Sequence, residues 1–238
     1  MTRLPAFRTA LGGFVAILIV ALAGCATPPP PPPPPPVVVT IPPKPRPPLG
    51  AAEGLTIPPV GIDGTRVTVN SNISTEQKIW NLRSAYNVAA LNCLDTQYAP
   101  ILAGYSQFLQ THSKALASVN KDLDRRFREN YGSKVYIRER ETYQTQVYNY
   151  FALPPVKSAF CNAALQVSNE LLTVPAGQLE TYALNGLDKV DTPFREFFNS
   201  YDQYRSDLRA WESLYGAGPP VTVSVPAPTP AISLRDGT

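Results

Sequence analysis

Three cysteines, one histidine and a few carboxylates are the residues through which this 238-residue chain could do chemistry. Cys25, Cys93 and Cys161 stand too far apart in sequence for a C-x-x-C redox pair. Three cysteines and one histidine also leave no room for a Cys/His zinc cluster. His112 would be a general base only with a nucleophile beside it. No serine or cysteine pairs with it by spacing, and it falls on the apolar stripe of a helical pattern, where a packed ring is the expected role. Arg138-Glu139-Arg140-Glu141 sets two carboxylates two residues apart. On a helix they point about 200° apart and cannot share one substrate, so each is expected to face an arginine. A carboxyl group acting as an acid needs burial to raise its pKa, and none of the apolar stripes below contains Asp or Glu. The chain has no P-loop, no G-x-G-x-x-G and no H-E-x-x-H. No cofactor or metal is expected.

The elements that must position these residues follow from composition. Proline is 27 of 238 residues, about twice its usual share, yet only five prolines fall between Thr75 and Gly216. The same stretch holds 21 of the 23 Trp, Tyr and Phe residues. One aromatic-rich domain, 75–216, is therefore expected between proline-rich flanks. It carries 15 basic and 15 acidic residues, a balance that does not mark a nucleic-acid binder. Ser74-Thr75-Glu76-Gln77 is a capping box opening a first helix, about 75–94, with Ile79, Leu82, Tyr86, Ala89 and Cys93 on one face. Tyr98 to Leu123 keeps the same spacing, so a single second helix is expected from about 98 to Tyr131, stopped by Gly132. A third helix follows from about 134, and Pro154-Pro155 opens a fourth with Phe160, Ala164, Val167 and Leu171 on one face. A short fifth helix holds Leu179 to Leu187. Asp191-Thr192-Pro193 reads as a cap with proline in the first turn of a sixth. The fold class is all-α: an antiparallel bundle of about six helices with disordered proline-rich flanks.

The N-terminus gives an address. Arg3 and Arg8 precede sixteen uncharged, mostly apolar residues, Thr9–Gly24, which are too few for a comfortable bilayer span of ~20 residues and suit a secretion signal. Leu22-Ala23-Gly24-Cys25 resembles the lipobox of bacterial lipoproteins. That resemblance implies cleavage after Gly24, a diacylglyceryl group on the Cys25 sulfur and acylation (palmitate) of the new amine. Two or more acyl chains hold a protein at a bilayer where one is marginal. The alternative is an ordinary signal peptide, 1–24, with a chance cysteine. In the lipoprotein rule, a residue other than Asp after the cysteine, here Ala26, favours the outer membrane, with the domain facing the periplasm. Residues 25–74 are expected to form a linker, lipidated at Cys25 and proline-rich or extended beyond it. Pro28–Pro48, fourteen prolines in 21 residues, reads as a polyproline II spacer reaching ~65 Å. Lys44-Pro45-Arg46-Pro47-Pro48 could alternatively serve a proline-reading domain. A turn is expected at Asp63-Gly64, and 217–238 is expected to be a disordered Pro/Ala/Val tail. In an exported domain Cys93 and Cys161 are expected to pair. An up-and-down order brings the end of the first helix to the start of the fourth, and free buried thiols are the alternative.

For binding, the sequence offers two features. Lys121–Glu141 carries seven basic and five acidic residues around Gly132, including Arg125, Arg128 and Arg138. This is a solvated hairpin end or a patch for an anionic envelope polymer. Tyr148 lies off the Tyr143–Val147–Tyr150 stripe and is expected to be exposed, where tyrosine binds sugars or protein partners. The stretches Trp80–Cys93 and Val147–Pro155, with Phe160-Cys161, resemble a group of uncharacterised helical envelope lipoproteins of Gram-negative bacteria, over roughly Ile57–Leu172. That likeness agrees with the helical, cysteine-paired reading and carries no particular activity. Two readings of function remain. One is a non-enzymatic envelope lipoprotein that presents a binding or structural domain on a proline-rich tether. Its partners would be the membrane, through the lipid, and an envelope protein or cell-wall polymer. The other is an enzyme on envelope glycans using a single carboxylate such as Glu129, Glu170 or Glu180.

Overall fold

A computed structural model of the chain describes residues 41–216, together with Pro31 and Pro32. Six α-helices follow in order: α1 Thr75–Asn92, α2 Pro100–Thr111, α3 Ser113–Tyr131, α4 Tyr136–Phe151, α5 Lys157–Leu171 and α6 Leu179–Tyr215. The capping box forms as expected, with Ser74 Oγ accepting from Gln77 N–H at 3.3 Å and Gln77 Oε1 accepting from Ser74 N–H at 3.0 Å. Short 3-10 turns at Thr96–Tyr98, Pro154–Val156 and Ala176–Gln178 lead into α2, α5 and α6. Gly132 ends α3 in the left-handed region, φ 79°, which a glycine enters without a Cβ clash.

The helix count agrees with the sequence reading, but two boundaries move. The expected second helix is broken at His112, whose φ −104° and ψ 14° are not helical. The break lets α2 lie on α5 while α3 turns to lie on α4, with α1 touching both. The expected fifth and sixth helices are one 37-residue helix that runs through Pro193. Asp191 does not cap it, because its carboxylate is turned into the core. Proline inside a helix costs about 3 kcal/mol. The unbroken row Phe194, Phe197, Phe198, Tyr201 and Tyr204, all buried, offsets this.

α1 is the central element. It packs against each of the other five helices and is buried on nearly every side, from Ile79 to Ala90. Its stripe residues Ile79, Leu82, Tyr86, Ala89 and Cys93 are all buried, as are Phe160, Ala164, Val167 and Leu171 of α5. Leu102 of the expected α2 stripe is not; it is exposed. α1 and α5 run antiparallel: Cys93 meets Cys161, and one turn pair below Tyr86 Oη and Ser168 Oγ share a hydrogen bond of 2.5 Å. Gly104 of α2 is pressed against that bond, and a Cβ there would overlap Ser168 Oγ and Tyr86 Oη. α6 is also antiparallel to α5, through Lys189–Glu170 and Phe194–Phe160. The two cysteines form a disulfide with Cα atoms 5.6 Å apart, closing a loop of 68 residues.

Residues 41–74, read from sequence as linker, pack on the bundle as a strap. Ala51, Arg66 and Thr68 are buried, and Leu55, Ile57, Val69 and Ile73 cover the core. The expected turn forms, with Gly64 at φ 78° and Gly61 N–H donating to Thr65 O at 2.7 Å. α6 holds the strap largely by its backbone. Tyr201 Oη accepts from Leu55 N–H and donates to the Ala52 and Glu53 carbonyls. Arg205 donates to Leu55 O, and Trp211 Nε1 donates to Pro42 O at 2.8 Å. Arg66 inserts its guanidinium between Pro58 O, Asn199 and Asp202. Prolines 42–48 of the expected spacer thus belong to the domain. The signal segment, Cys25 and the 217–238 tail lie outside the described residues.

Closing a 68-residue loop removes about 4.5 kcal/mol of unfolded-state entropy. Replacing Cys93 and Cys161 by serine is expected to lower stability by ~2–4 kcal/mol in denaturant titration, with helical circular dichroism retained. Thiol titration of unreduced, unfolded protein should find neither cysteine free. Arg66→Ala should cost about 1.5–3 kcal/mol by the same titration, since its charged hydrogen bonds fasten the strap.

Candidate functional site

The buried carboxylate that the sequence stripes lack is present in the structure at Asp191, 3% exposed on α6. Three donors converge on it. Oδ1 accepts from Tyr150 Oη at 2.7 Å and Asn70 Nδ2 at 2.5 Å, and Oδ2 accepts from Arg195 at 2.5 Å. Asn70 Oδ1 in turn accepts from Asn81 Nδ2, and Asn81 Oδ1 accepts from Tyr143 Oη at 2.7 Å. Burial pushes the Tyr143 hydroxyl up to about 12. Burial and the Asp191 charge raise Tyr150 further. These phenols remain neutral donors. With both oxygens occupied and a guanidinium beside it, Asp191 has its hydrogen bonds satisfied and joins strap, α1, α4 and α6. Sequence could have exposed it only by showing that Asp191 falls one turn before Phe194 on the buried face.

The carboxylates named for an enzyme are placed differently. Glu129 is exposed beside Arg125, and Glu180 is exposed. Glu170 is bound at both oxygens by Lys189 (2.6 and 2.7 Å) and by Tyr182 Oη. The Lys189 bond holds its carboxyl below the usual range, the opposite of what acid catalysis requires. His112 is 1% exposed, with its ring 5.2 Å from Phe108 and neither nitrogen in a hydrogen bond. Burial lowers its pKa from 6.5; the Ala176 backbone opposes this, and no charged side chain contributes. Among the described residues no group of three His, Cys, Asp or Glu could hold a metal ion.

Tyr148 is not an open aromatic. It is half-buried, edge-on to Trp80 at 5.9 Å, because α4 leans on α1 with that side as well as with its Val147 stripe. Arg125 reaches Asp122 and Glu129, Arg138 pairs with Glu139, and Arg128 lies over the Tyr136 ring at 4.7 Å and donates to its hydroxyl. Arg140 pairs with Asp124. The hairpin end is a mesh of opposite charges, so its arginines are largely spoken for.

Among the described residues, three hollows stand out. A cleft of about 380 Å³ beside Trp80 and Arg83 faces the start of α3. A hollow of about 590 Å³ under the strap turn borders Asp188, Asp191 and Arg195. A groove of about 320 Å³ separates the first turn of α1 from the α3–α4 hairpin. In this last one Phe127 and Tyr131 lie nearly parallel, 18° apart with centroids at 5.8 Å, and Tyr143 sits 5.7 Å from Phe127. The sequence reading passed over Tyr131 because its place before the Gly132 stop marked it only as a helix end. Its neighbour one turn back, Phe127, was the available signal.

Asp191→Ala is expected to destabilise by ~3–5 kcal/mol, because it strands the buried donors of Tyr150, Asn70 and Arg195. Thermal or urea unfolding measures this. For His112 the folded pKa lies below the unfolded 6.5, so its stabilisation is complete above pH 6.5 and is lost as pH falls towards the folded value. His112→Leu should flatten stability against pH between neutrality and the onset of carboxylate titration, in unfolding experiments at a series of pH values. No family model matches this chain, and neither a curated protein nor a solved structure matches it.

Proposed function

We propose that this protein is a non-enzymatic envelope lipoprotein: a helical binding domain anchored through Cys25 at the outer membrane, facing the periplasm on a proline-rich tether. The observation that supports the reading is the strap. Trp211 holds Pro42 at the far end of α6, so the chain joins the domain at one defined point. The contacts of α1 and α6 with α5 make these two helices parallel, and the α3–α4 turn therefore lies at the opposite end. Sixteen residues separate Cys25 from Pro42, a reach of up to ~50 Å as polyproline II. A lipid at Cys25 would hold the strap end towards the membrane and present the hairpin end to the periplasm. No described helix is long and apolar enough to cross a membrane, and that says nothing about a lipid anchor.

The enzyme reading is weaker on the same geometry. Glu129 and Glu180 are exposed, Glu170 is ion-paired, and the buried Asp191 has both oxygens engaged. Metabolic labelling with a fatty-acid probe tests the anchor. The wild-type chain should be labelled and fractionate with outer membranes, and Cys25→Ala should lose the label and stay at precursor size. Label retained on Cys25→Ala would overturn the proposal.

A further inference from the structure

The groove between α1 and the α3–α4 hairpin has the chemistry of a sugar site. Its floor is aromatic, with Phe127 buried and Tyr131, one turn on, 51% exposed and nearly parallel to it. Thr142 and Gln146 lie four residues apart on one face of α4, opposite Asn130 of α3. All three side chains are exposed on the groove wall and make no side-chain hydrogen bond to another described residue. The charged groups at the rim are already neutralised: Arg126 pairs with Glu76 at 3.0 Å, and Glu139 pairs with Arg138 at 2.8 Å. Nothing here selects an ionic ligand. A half-exposed ring bordered by neutral donors and acceptors matches a pyranose, which is apolar on its C–H face and polar around its edge. Side-chain amides offer both a donor and an acceptor, so a ligand that itself carries an amide satisfies both. The volume, about 320 Å³, is at the small end of ligand pockets.

We infer that this groove binds a neutral amino-sugar glycan, one ring stacked on Tyr131 and its acetamido group between Asn130 and Gln146. The inference deepens the binding-domain reading and is independent of the lipid anchor. The groove is at the end of the domain remote from the Pro42–Trp211 contact, where a tethered domain would meet a polymer.

The test is calorimetric titration of the purified full-length chain with three probes: an N-acetylglucosamine tetramer, a glucose tetramer and dextran sulfate. The amino-sugar tetramer should bind saturably and more tightly than the glucose tetramer. Tyr131→Ala should weaken it by about tenfold, while Tyr131→Phe, which keeps the ring, should stay within about threefold of wild type. Gln146→Ala should narrow the preference for the amino sugar. Circular dichroism and the melting curve of each variant separate lost binding from lost folding. No binding of the amino-sugar tetramer, a preference for dextran sulfate, or unchanged affinity in folded Tyr131→Ala would overturn the assignment. Binding by a chain that fails fatty-acid labelling would keep the site and remove the anchor. A labelled chain that ignores the tetramer would do the reverse.

Discussion

A carboxylate inside a helical core has to be neutralised where it stands, and around Asp191 that requirement ties four segments together. Its oxygens draw Tyr150 from α4, Arg195 from α6 itself and Asn70 from the strap. Asn70 then engages Asn81 of α1, and Asn81 engages Tyr143 of α4. Each partner is buried or half-buried, so a group that loses its partner here has little water to replace it. Apolar packing alone would let the helices slide along shared stripes; this chain of paired donors and acceptors sets their register. It also explains why α6 continues through Pro193, since a helix ending there would leave Asp191 without its place beside Arg195.

A second constraint comes from α1. A helix buried on almost every side can be packed on by five others only if they approach closely, and small residues permit this. Ala85, Ala89 and Ser84 line α1, and Gly104 lets α2 reach the Tyr86–Ser168 bond. The disulfide pins the upper end of this arrangement, and the Ser74 capping box defines the lower one. The groove floored by Phe127 and Tyr131 is the gap left where α1 begins and the α3–α4 turn has not yet closed over it.

The strap gives the molecule two unlike ends. One is where the strap runs along α6 to Trp211, with Arg205 bonded to the Leu55 carbonyl and Trp211 to that of Pro42. Proline suits that role because it keeps its carbonyl and has no N–H left to satisfy. The other is the hairpin end, where ion pairs consume the arginines and leave neutral polar groups around an open ring. That contrast moves the candidate site away from the basic patch of the sequence and onto the aromatic groove next to it.

Local chemistry determined much of this protein from the sequence alone. The capping box, the Gly132 stop, the turn at Asp63-Gly64 and the apolar faces of α1 and α5 depend on residues within one or two turns of each other, so they are visible in any short window. The all-helical class follows from the same periodicity carried over several helices, and the Cys93–Cys161 pair from an up-and-down order of those helices. Tertiary contacts decided the rest. Asp191-Thr192-Pro193 satisfies the local rule for a helix start, yet the carboxylate is bound instead by Tyr150 and Asn70 from distant segments and by Arg195 one turn on. The stripe from Tyr98 to Leu123 runs on without a sign of the break, because His112 is apolar-facing whether the helix continues or bends there. The strap has no periodicity at all; its attachment is one buried arginine and several bonds to backbone carbonyls, which no side-chain pattern reports. Tyr148 and Tyr131 exchanged roles for the same reason: exposure depends on which neighbouring helix covers a face, and only the packing of α4 on α1 and the opening beside α3 settle that.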